Sequence, residues 1–381
     1  MLNQETFRAL TNVKSDNCVS IYVPGHPTED GKESRSFLKR MLSEATAELK
    51  DRGMSDKDAR KFLFNAYELL NQDERWKNIH HSYAIFIAEG YYKSVKLSYE
   101  TEPQVFVGPR FYLRQALPAV NNGAHFYLLA LSEEDATLYK GNNVDLQPMA
   151  ADEQLPDNMK AALMMDTPDR NVQMNSGSAA FETPIFDNDE MGSDHRLKAY
   201  KRYCYQVDLG VQEILKESDA PLVLATTDQI APIYKETSDI PDIPPVHISG
   251  NPTNLDESQL HKQAVEIIHE FQDGRRKQVI RVYSDHNDKD LASSSVFEIV
   301  PRAHKGDVDT LLIADGHYSW GTYNEKTRKV ELHKERQKDS VDLIDLAAAY
   351  AHLSGAKVYT MPQDKLPQSG TSVNAIYHSG S

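Results

Sequence analysis

The chain has 381 residues, 40% of them hydrophobic and 26% charged, which is ordinary for a soluble globular protein with a sizeable core. No apolar run approaches the roughly 20 residues of a membrane helix, and the amino terminus lacks the features of a signal peptide. The only cysteines, Cys18 and Cys204, are too few for a disulfide framework or a zinc site. We therefore expect a cytoplasmic protein with no membrane partner.

The net charge of −15 is unevenly distributed along the chain. Residues 1–120 carry 17 basic and 16 acidic side chains, residues 121–250 carry 9 and 22, and residues 251–381 carry 16 and 19. A protein that coats nucleic acid non-specifically would be basic throughout. We therefore expect no DNA partner, and any contact with RNA has to be local.

The first third, residues 1–120, has the alternating pattern of an α/β domain. The predicted elements are strands at 18–24, 82–88, 91–99 and 105–109, and helices at 34–51 and 55–70. The adjacent His80 and His81 would point to opposite faces of a strand, so we expect no metal site there.

The middle third, residues 121–250, is organised around one amphipathic helix. The predicted elements are strands at 125–131, 136–140 and 222–225, an acidic, loop-rich segment at 150–189, a helix at 193–216 and a short helix from 230. Ser193 is the expected cap of the long helix. Its predicted buried stripe is Leu197, Tyr200, Cys204, Val207, Val211 and Ile214.

The start of this helix is unusually basic for the middle third. Arg196, Lys198, Lys201 and Arg202 lie within its first turns, directly after a small polar loop. Such cations can contact phosphate, although charge on a helix face is more commonly just solvated. We take these four residues as the RNA-binding candidates.

The last third, residues 251–381, begins after a Pro-rich linker at 240–245 and returns to an α/β pattern. The predicted elements are helices at 255–272, 291–305 and 341–353, strands at 306–314, 357–361 and 373–377, and an insertion or hairpin at 318–330. The acidic run 284–290 lacks the central Gly and distal Glu of a calcium loop. No phosphate-binding, hydrolase, zincin or Cys-x-x-Cys motif occurs, so we expect neither a cofactor nor a metal.

Several segments together carry a family resemblance. They are C-V-S-I-Y-V-P in the first part, H-F-Y-L-L-A-L-S-E-E-D-A-T-L-Y-K-G-N in the middle, and I-S-G-N-P and G-D-V-D-T-L-L-I-A-D in the last. In this order the chain resembles the bacterial relatives of the archaeal and eukaryotic peptide-chain release factor and of Pelota. The resemblance implies three α/β domains, the middle one ribonuclease-H-like and the last one similar to kink-turn-binding ribosomal proteins. It also implies a tRNA-like shape, ribosomal RNA as partner and a translational GTPase as second partner.

The sequence departs from release factors at the catalytic loop. These factors carry Gly-Gly-Gln before the basic helix, where Gln places a water on the peptidyl-tRNA ester. This chain contains no Gly-Gly pair. The corresponding positions, our functional-loop candidates, are Gln173, Ser176, Gly177, Ser178, Gly192 and His195.

Three hypotheses about function remain open. The first is a non-catalytic factor that occupies the ribosomal A site in rescue or hibernation. The second is a peptidyl-tRNA or other ester hydrolase that uses a different loop chemistry. The third is an interaction scaffold that keeps the fold but has left the ribosome, a reading that the acidic middle third favours.

Overall fold

The computed structural model describes residues 2–26, 31–72, 75–77, 81–120, 125–151, 153–165, 193–216, 218, 220–287 and 291–378. The backbone divides into two compact units. Unit 1 combines residues 1–124 with residues 272–381, and unit 2 comprises residues 125–271. Mixed α/β structure is thus confirmed, whereas the division into three domains stays a prediction.

The amino-terminal part of unit 1 is an antiparallel sheet with helices packed on both faces. Its helices are α1 (Gln4–Asn12), α2 (Lys32–Asp51), α3 (Asp56–Phe62), α4 (Phe64–Leu70) and α5 (Leu117–Val120). Its strands are β1 (Cys18–Val23), β2 (Ser82–Ala88), β3 (Tyr91–Leu97) and β4 (Gln104–Gly108), in the order β3-β2-β1-β4. Ser55 caps α3 as predicted, accepting the backbone N–H of Asp58.

The carboxyl-terminal part of unit 1 contains two sheets. Its helices are α10 (Val296–Lys305) and α11 (Leu343–Leu353), and α9 (Glu257–Asn287) enters it from unit 2. The first sheet has the order β10-β16-β11-β15, formed by Ala292–Ser293, Val373–Tyr377, Val308–Ala314 and Lys357–Met361. The second has the order β13-β12-β14, formed by Lys329–Leu332, Trp320–Asn324 and Val341–Asp342.

Strand β1 explains how these two parts form one unit. All six of its residues are buried, and successive side chains of a strand point to opposite faces. Val19, Ile21 and Val23 pack against α2, α3 and α4. Cys18 and Tyr22 face the other way, into a core shared with α10, α11 and β11. The strand is therefore hydrophobic at almost every position because both of its faces are covered.

Unit 2 is a five-stranded mixed sheet covered on both faces. Its strands are β5 (Phe126–Leu131), β6 (Ala136–Gly141), β7 (Leu146–Pro148), β8 (Leu222–Thr226) and β9 (Ile248–Ser249), in the order β7-β6-β5-β8-β9. Its helices are α6 (Met159–Met165), α7 (Ser193–Leu215), α8 (Ile230–Thr237) and the first half of α9. Helices α7 and α8 cover one face, and Leu260, Ala264 and Ile268 of α9 cover the other.

Several elements differ from the sequence predictions. The helix predicted at 55–70 is interrupted at Leu63, and α6 lies inside the segment predicted as loop. The helix predicted at 291–305 begins at Val296, after the short strand β10, and the helix predicted at 341–353 begins after β14. Helix α9 continues beyond the predicted end at 272, because Val279, Ile280 and Tyr283 keep the apolar spacing. Gly274 lies inside this helix at an exposed position.

Candidate nucleic-acid interface

Helix α7 presents the predicted RNA-binding residues, and its buried side fixes their orientation. Tyr200, Cys204, Val207 and Val211 are buried as predicted. Leu197 is not part of this stripe: 42% of it is exposed, and Tyr203 is buried instead. Leu197 keeps the step of three to Tyr200, but it lies in the first turn of the helix, before the buried part of the stripe begins. The opposite side of the helix therefore faces solvent.

Arg196 is tied into a network within unit 2. Its Nη2 donates to Glu133 Oε1 at 3.0 Å, and its Nε donates to the Tyr200 hydroxyl at 3.1 Å. The Tyr200 hydroxyl in turn donates to Glu133. The hydrogen bond from Tyr200, together with Arg196, lowers the pKa of Glu133 although burial opposes this. Glu133 stays anionic, so the charge of Arg196 is already neutralised.

The other three cations are also engaged. Lys201 Nζ lies 3.0 Å from Glu236 Oε1 of α8, and neither Lys198 nor Arg202 is free of interactions. Both partners of the Lys201–Glu236 pair are substantially exposed. Such a pair contributes about 1 kcal/mol or less, so a phosphate could replace the glutamate at little cost.

Two exposed apolar side chains share the outer face of α7 with these cations. Tyr205 is 50% exposed and Leu209 is 45% exposed. Steps of four residues lead from Lys201 to Tyr205 and on to Leu209, so the three lie on neighbouring turns of one face. A planar ring beside cations can stack on an unpaired base. The sequence analysis missed this feature, although the spacing is visible in the sequence.

The functional-loop candidates are only partly described. Gln173, Ser176, Gly177, Ser178 and Gly192 lie outside the described residues. His195 lies in the first turn of α7 with its side chain exposed. Of the functional-loop candidates, His195 is thus the one that the structure describes.

A cluster that the sequence analysis did not identify lies at the carboxyl ends of β8 and β9. Ser249 Oγ donates to Asp228 Oδ1 at 2.7 Å, and His247 Nε2 lies 3.0 Å from the same oxygen. These contacts, from Ser249 first and then His247, lower the pKa of Asp228. The one ring nitrogen of His247 faces both the serine, at 3.4 Å, and the aspartate. A Ser-His-Asp triad needs opposite ring nitrogens for these two partners, so this arrangement does not activate Ser249 in that way.

Neither a metal site nor a membrane helix is found in the described part of the chain. Among the described residues no group of three His, Cys, Asp or Glu side chains could hold a metal ion. The helices described are all too short or too polar to cross a bilayer.

The middle of the chain matches a known protein family. Residues 126–270 match the model of bacterial archaeo-eukaryotic release factor family 7. No curated protein matches the chain. The resemblance to release factors is thus confirmed for this segment, which is release-factor-like.

Solved structures of translation factors align over most of the chain but superimpose poorly. An archaeal translation termination factor, aRF1, aligns over 99% of this chain and 98% of its own at 12% identity and a TM-score of 0.23. Archaeal Pelota, from a model of ribosome-bound Pelota and ABCE1, aligns over 98% and 94% at 10% identity and a TM-score of 0.38. Dom34 of S. cerevisiae aligns over 98% and 93% at 11% identity and a TM-score of 0.38. These scores are too low to support an argument about function.

Proposed function

We propose that this chain, whose middle segment matches the bacterial archaeo-eukaryotic release factors, binds the ribosomal A site without hydrolysing peptidyl-tRNA. The observation that carries the proposal is the family match over residues 126–270, joined to a sequence without a Gly-Gly pair. Release factors use Gly-Gly-Gln to place a water on the peptidyl-tRNA ester, and this sequence lacks the glycine pair. The chain would act in ribosome rescue or hibernation, with a translational GTPase as second partner.

The outer face of α7 is the proposed contact of unit 2 with ribosomal RNA. Lys198, Lys201 and Arg202 supply charge there, and Tyr205 supplies an exposed ring. The pair between Lys201 and Glu236 holds one cation in place until phosphate replaces the glutamate. This exchange predicts moderate affinity that weakens with salt, because binding to phosphate releases counterions.

The test is sucrose-gradient sedimentation of the tagged protein with ribosomes, at low and physiological salt, from growing and from starved cells. Co-migration with 70S particles that weakens with salt is the expected result. Migration at the top of the gradient in all four conditions would refute the proposal.

Paired variants of α7 sharpen this test. The triple variant Lys198→Glu, Lys201→Glu and Arg202→Glu should weaken co-sedimentation at least about tenfold, because three phosphate contacts become repulsive. Glu236→Gln should instead strengthen it about two- to threefold, since Lys201 loses its competitor. A control that reverses Lys262 and Lys365, both exposed elsewhere, should change little. Unchanged binding in both α7 variants would remove this helix from the interface.

One observation favours the interaction scaffold as a second candidate. The middle third carries 22 acidic against 9 basic residues, and Arg196 is already neutralised by Glu133. Acidic surface repels RNA. This alternative predicts no association with ribosomes even at low salt, so the same gradient separates the two functions.

A further inference from the structure

A basic, exposed segment lies in unit 1, on a feature that the sequence analysis predicted as an insertion or a hairpin. Strands β12 and β13 pair antiparallel, with Asn324 opposite Lys329 at the tip and Gly321 opposite Leu332 at the base. Residues 326–338 hold six Lys and Arg against two Glu, in a chain whose net charge is −15. This segment is therefore positively charged, whereas the chain as a whole is negatively charged.

Four cations of this hairpin are exposed and unpaired, and we call them the hairpin surface: Lys326, Arg328, Lys329 and Lys334. None of them forms an ion pair with any residue that the structure describes. This distinguishes them from Arg196 and Lys201 of α7, whose charges are already matched by glutamates. Unpaired cations can be attracted to an anion without first breaking a protein contact.

The hairpin holds these cations on a well-defined turn. Asn324 Oδ1 accepts the backbone N–H groups of Lys326 and Thr327, each at 3.0 Å. Arg328 has a φ of 57°, the left-handed conformation that closes the turn. Glu325 is anchored in the opposite direction by Lys14, Arg110 and Tyr350. The only acid of the turn therefore points into the unit, and the cations remain outside.

An aromatic stack adjoins the base of the hairpin. The rings of Tyr318 and Trp320 are parallel within 10°, with centroids 5.5 Å apart. The guanidinium of Arg336 lies over Trp320, 5.4 Å from its centroid, and pairs with Glu48. Tyr318 is 39% exposed. Its hydroxyl accepts from Gln104 Nε2 at 2.7 Å, and the guanidinium of Arg114 lies 5.1 Å from its centroid. The exposed part of the Tyr318 ring is what a ligand of the hairpin could contact.

We propose that the hairpin surface binds the phosphate backbone of RNA, with the exposed part of Tyr318 contacting a nucleobase. This deepens the proposed function and rests on it, since ribosomal RNA would be the ligand. The hairpin from tip to base spans about 10 Å at the rise of a β-strand, which is enough to reach two or three successive phosphates. Cations spaced along a surface beside a partly exposed aromatic side chain are a common combination at RNA-binding surfaces.

Two assays with one variant test this proposal. The variant Lys326→Gln, Arg328→Asn, Lys329→Gln and Lys334→Gln removes the four charges, and Asn tolerates the left-handed conformation at 328. Arg336 is left intact because it packs on the aromatic stack. The first assay is co-sedimentation with purified ribosomes, and the second is fluorescence anisotropy with a fluorescein-labelled RNA stem-loop. In the second assay the slope of log affinity against log salt should fall by about 3, with about a hundredfold loss near physiological salt.

A matched control separates position from total charge. Lys262→Gln, Lys277→Gln, Lys357→Gln and Lys365→Gln remove the same charge from exposed sites elsewhere and should bind RNA like the wild type. If the hairpin variant binds both RNA and ribosomes as the wild type does, the inference is wrong while the proposed function stands. If the wild type does not bind ribosomes, but binds the stem-loop and the hairpin variant does not, the proposed function is wrong. The assignment of the hairpin surface as an RNA-binding site is then still supported. If the hairpin variant and the control lose RNA binding equally, the loss is due to net charge, and the inference is wrong.

Discussion

Replacing Asp345 by Asn should remove a pH dependence from the stability of unit 1. The side chain is buried where the two parts of the unit meet, and one of its oxygens accepts the backbone N–H groups of Leu113, at 2.8 Å, and Arg114. Burial, reinforced by the nearby charge of Asp342, raises the pKa of Asp345 to about 7, although the hydrogen bonds and the Arg114 charge oppose this. Asparagine keeps the accepting oxygen and the shape, but carries no charge.

The magnitude follows from the interval between the two pKa values of Asp345. In the unfolded chain an aspartate has lost its proton by about pH 5, whereas in the folded unit Asp345 keeps it until about pH 7. The folded state binds more protons over this interval, so the free energy of unfolding falls as the pH rises. At about 1.4 kcal/mol per pH unit, the loss between pH 5 and pH 8 is about 2–3 kcal/mol.

Tryptophan fluorescence during urea unfolding measures this loss selectively. The chain has two tryptophans, Trp76 and Trp320, and both belong to unit 1. Burial also raises the pKa of Asp342 to about 6, so both proteins should lose stability between pH 5 and pH 8. The loss of Asp345→Asn should be smaller than that of the wild type by about 2–3 kcal/mol, the contribution of Asp345. Asp339→Asn, which removes an exposed carboxylate, should follow the wild type. Parallel curves for the wild type and Asp345→Asn would refute the reasoning.

Two further predictions concern stability. Burial would raise the pKa of Glu325, but hydrogen bonds from a lysine and a tyrosine and the charge of Arg110 hold it at about 2. Glu325→Gln should therefore lower the free energy of unfolding by about 1–2 kcal/mol at pH 7. The wild type should lose this contribution as the pH falls from about 4.5 to 2. Identical acid unfolding curves for the two proteins would contradict this prediction. Gly210→Ala should destabilise unit 2 by about 2 kcal/mol or more, because the new Cβ would lie 2.1 Å from a backbone oxygen of Gln154. Gly274→Ala should instead stabilise the protein by up to about 1 kcal/mol, since its position in the helix is open. Thermal melts measure both effects, and equal shifts in Tm for Gly210→Ala and Gly274→Ala would contradict the close contact at Gly210.

The sequence was most informative where local patterns decide the structure. The unbroken run at β1, the apolar repeat of α11 and the glycine at 355 all predicted their elements, and Gly355 has the positive φ of 90° that ends α11. It was less informative where packing between distant segments decides. Nothing local indicates that Cys18 and Tyr22 face a core supplied by residues more than 270 positions later, such as Leu311 and Ala347.

The candidate site follows the same division. The basic start of α7 could be predicted, because charge and helical spacing are local properties. Glu133 and Glu236, which pair with Arg196 and Lys201, could not be, because they lie on other elements that only the fold brings to the helix. The cations of the hairpin surface could be read from the sequence. That they form no ion pair with a described residue could be seen only in the folded unit.

The core shared by the two parts of unit 1 has a consequence for synthesis of the chain. Phe7, Leu10 and Leu113 pack against α11 and the strands around it, and β16 is an interior strand of its sheet. About 250 residues separate Val120 from β16, which takes about 13–50 s to translate at 5–20 residues per second. During this time unit 2 can fold while one apolar face of the amino-terminal sheet stays uncovered. A nascent chain of this kind is a natural substrate for a chaperone that shields hydrophobic surface until the final strands emerge.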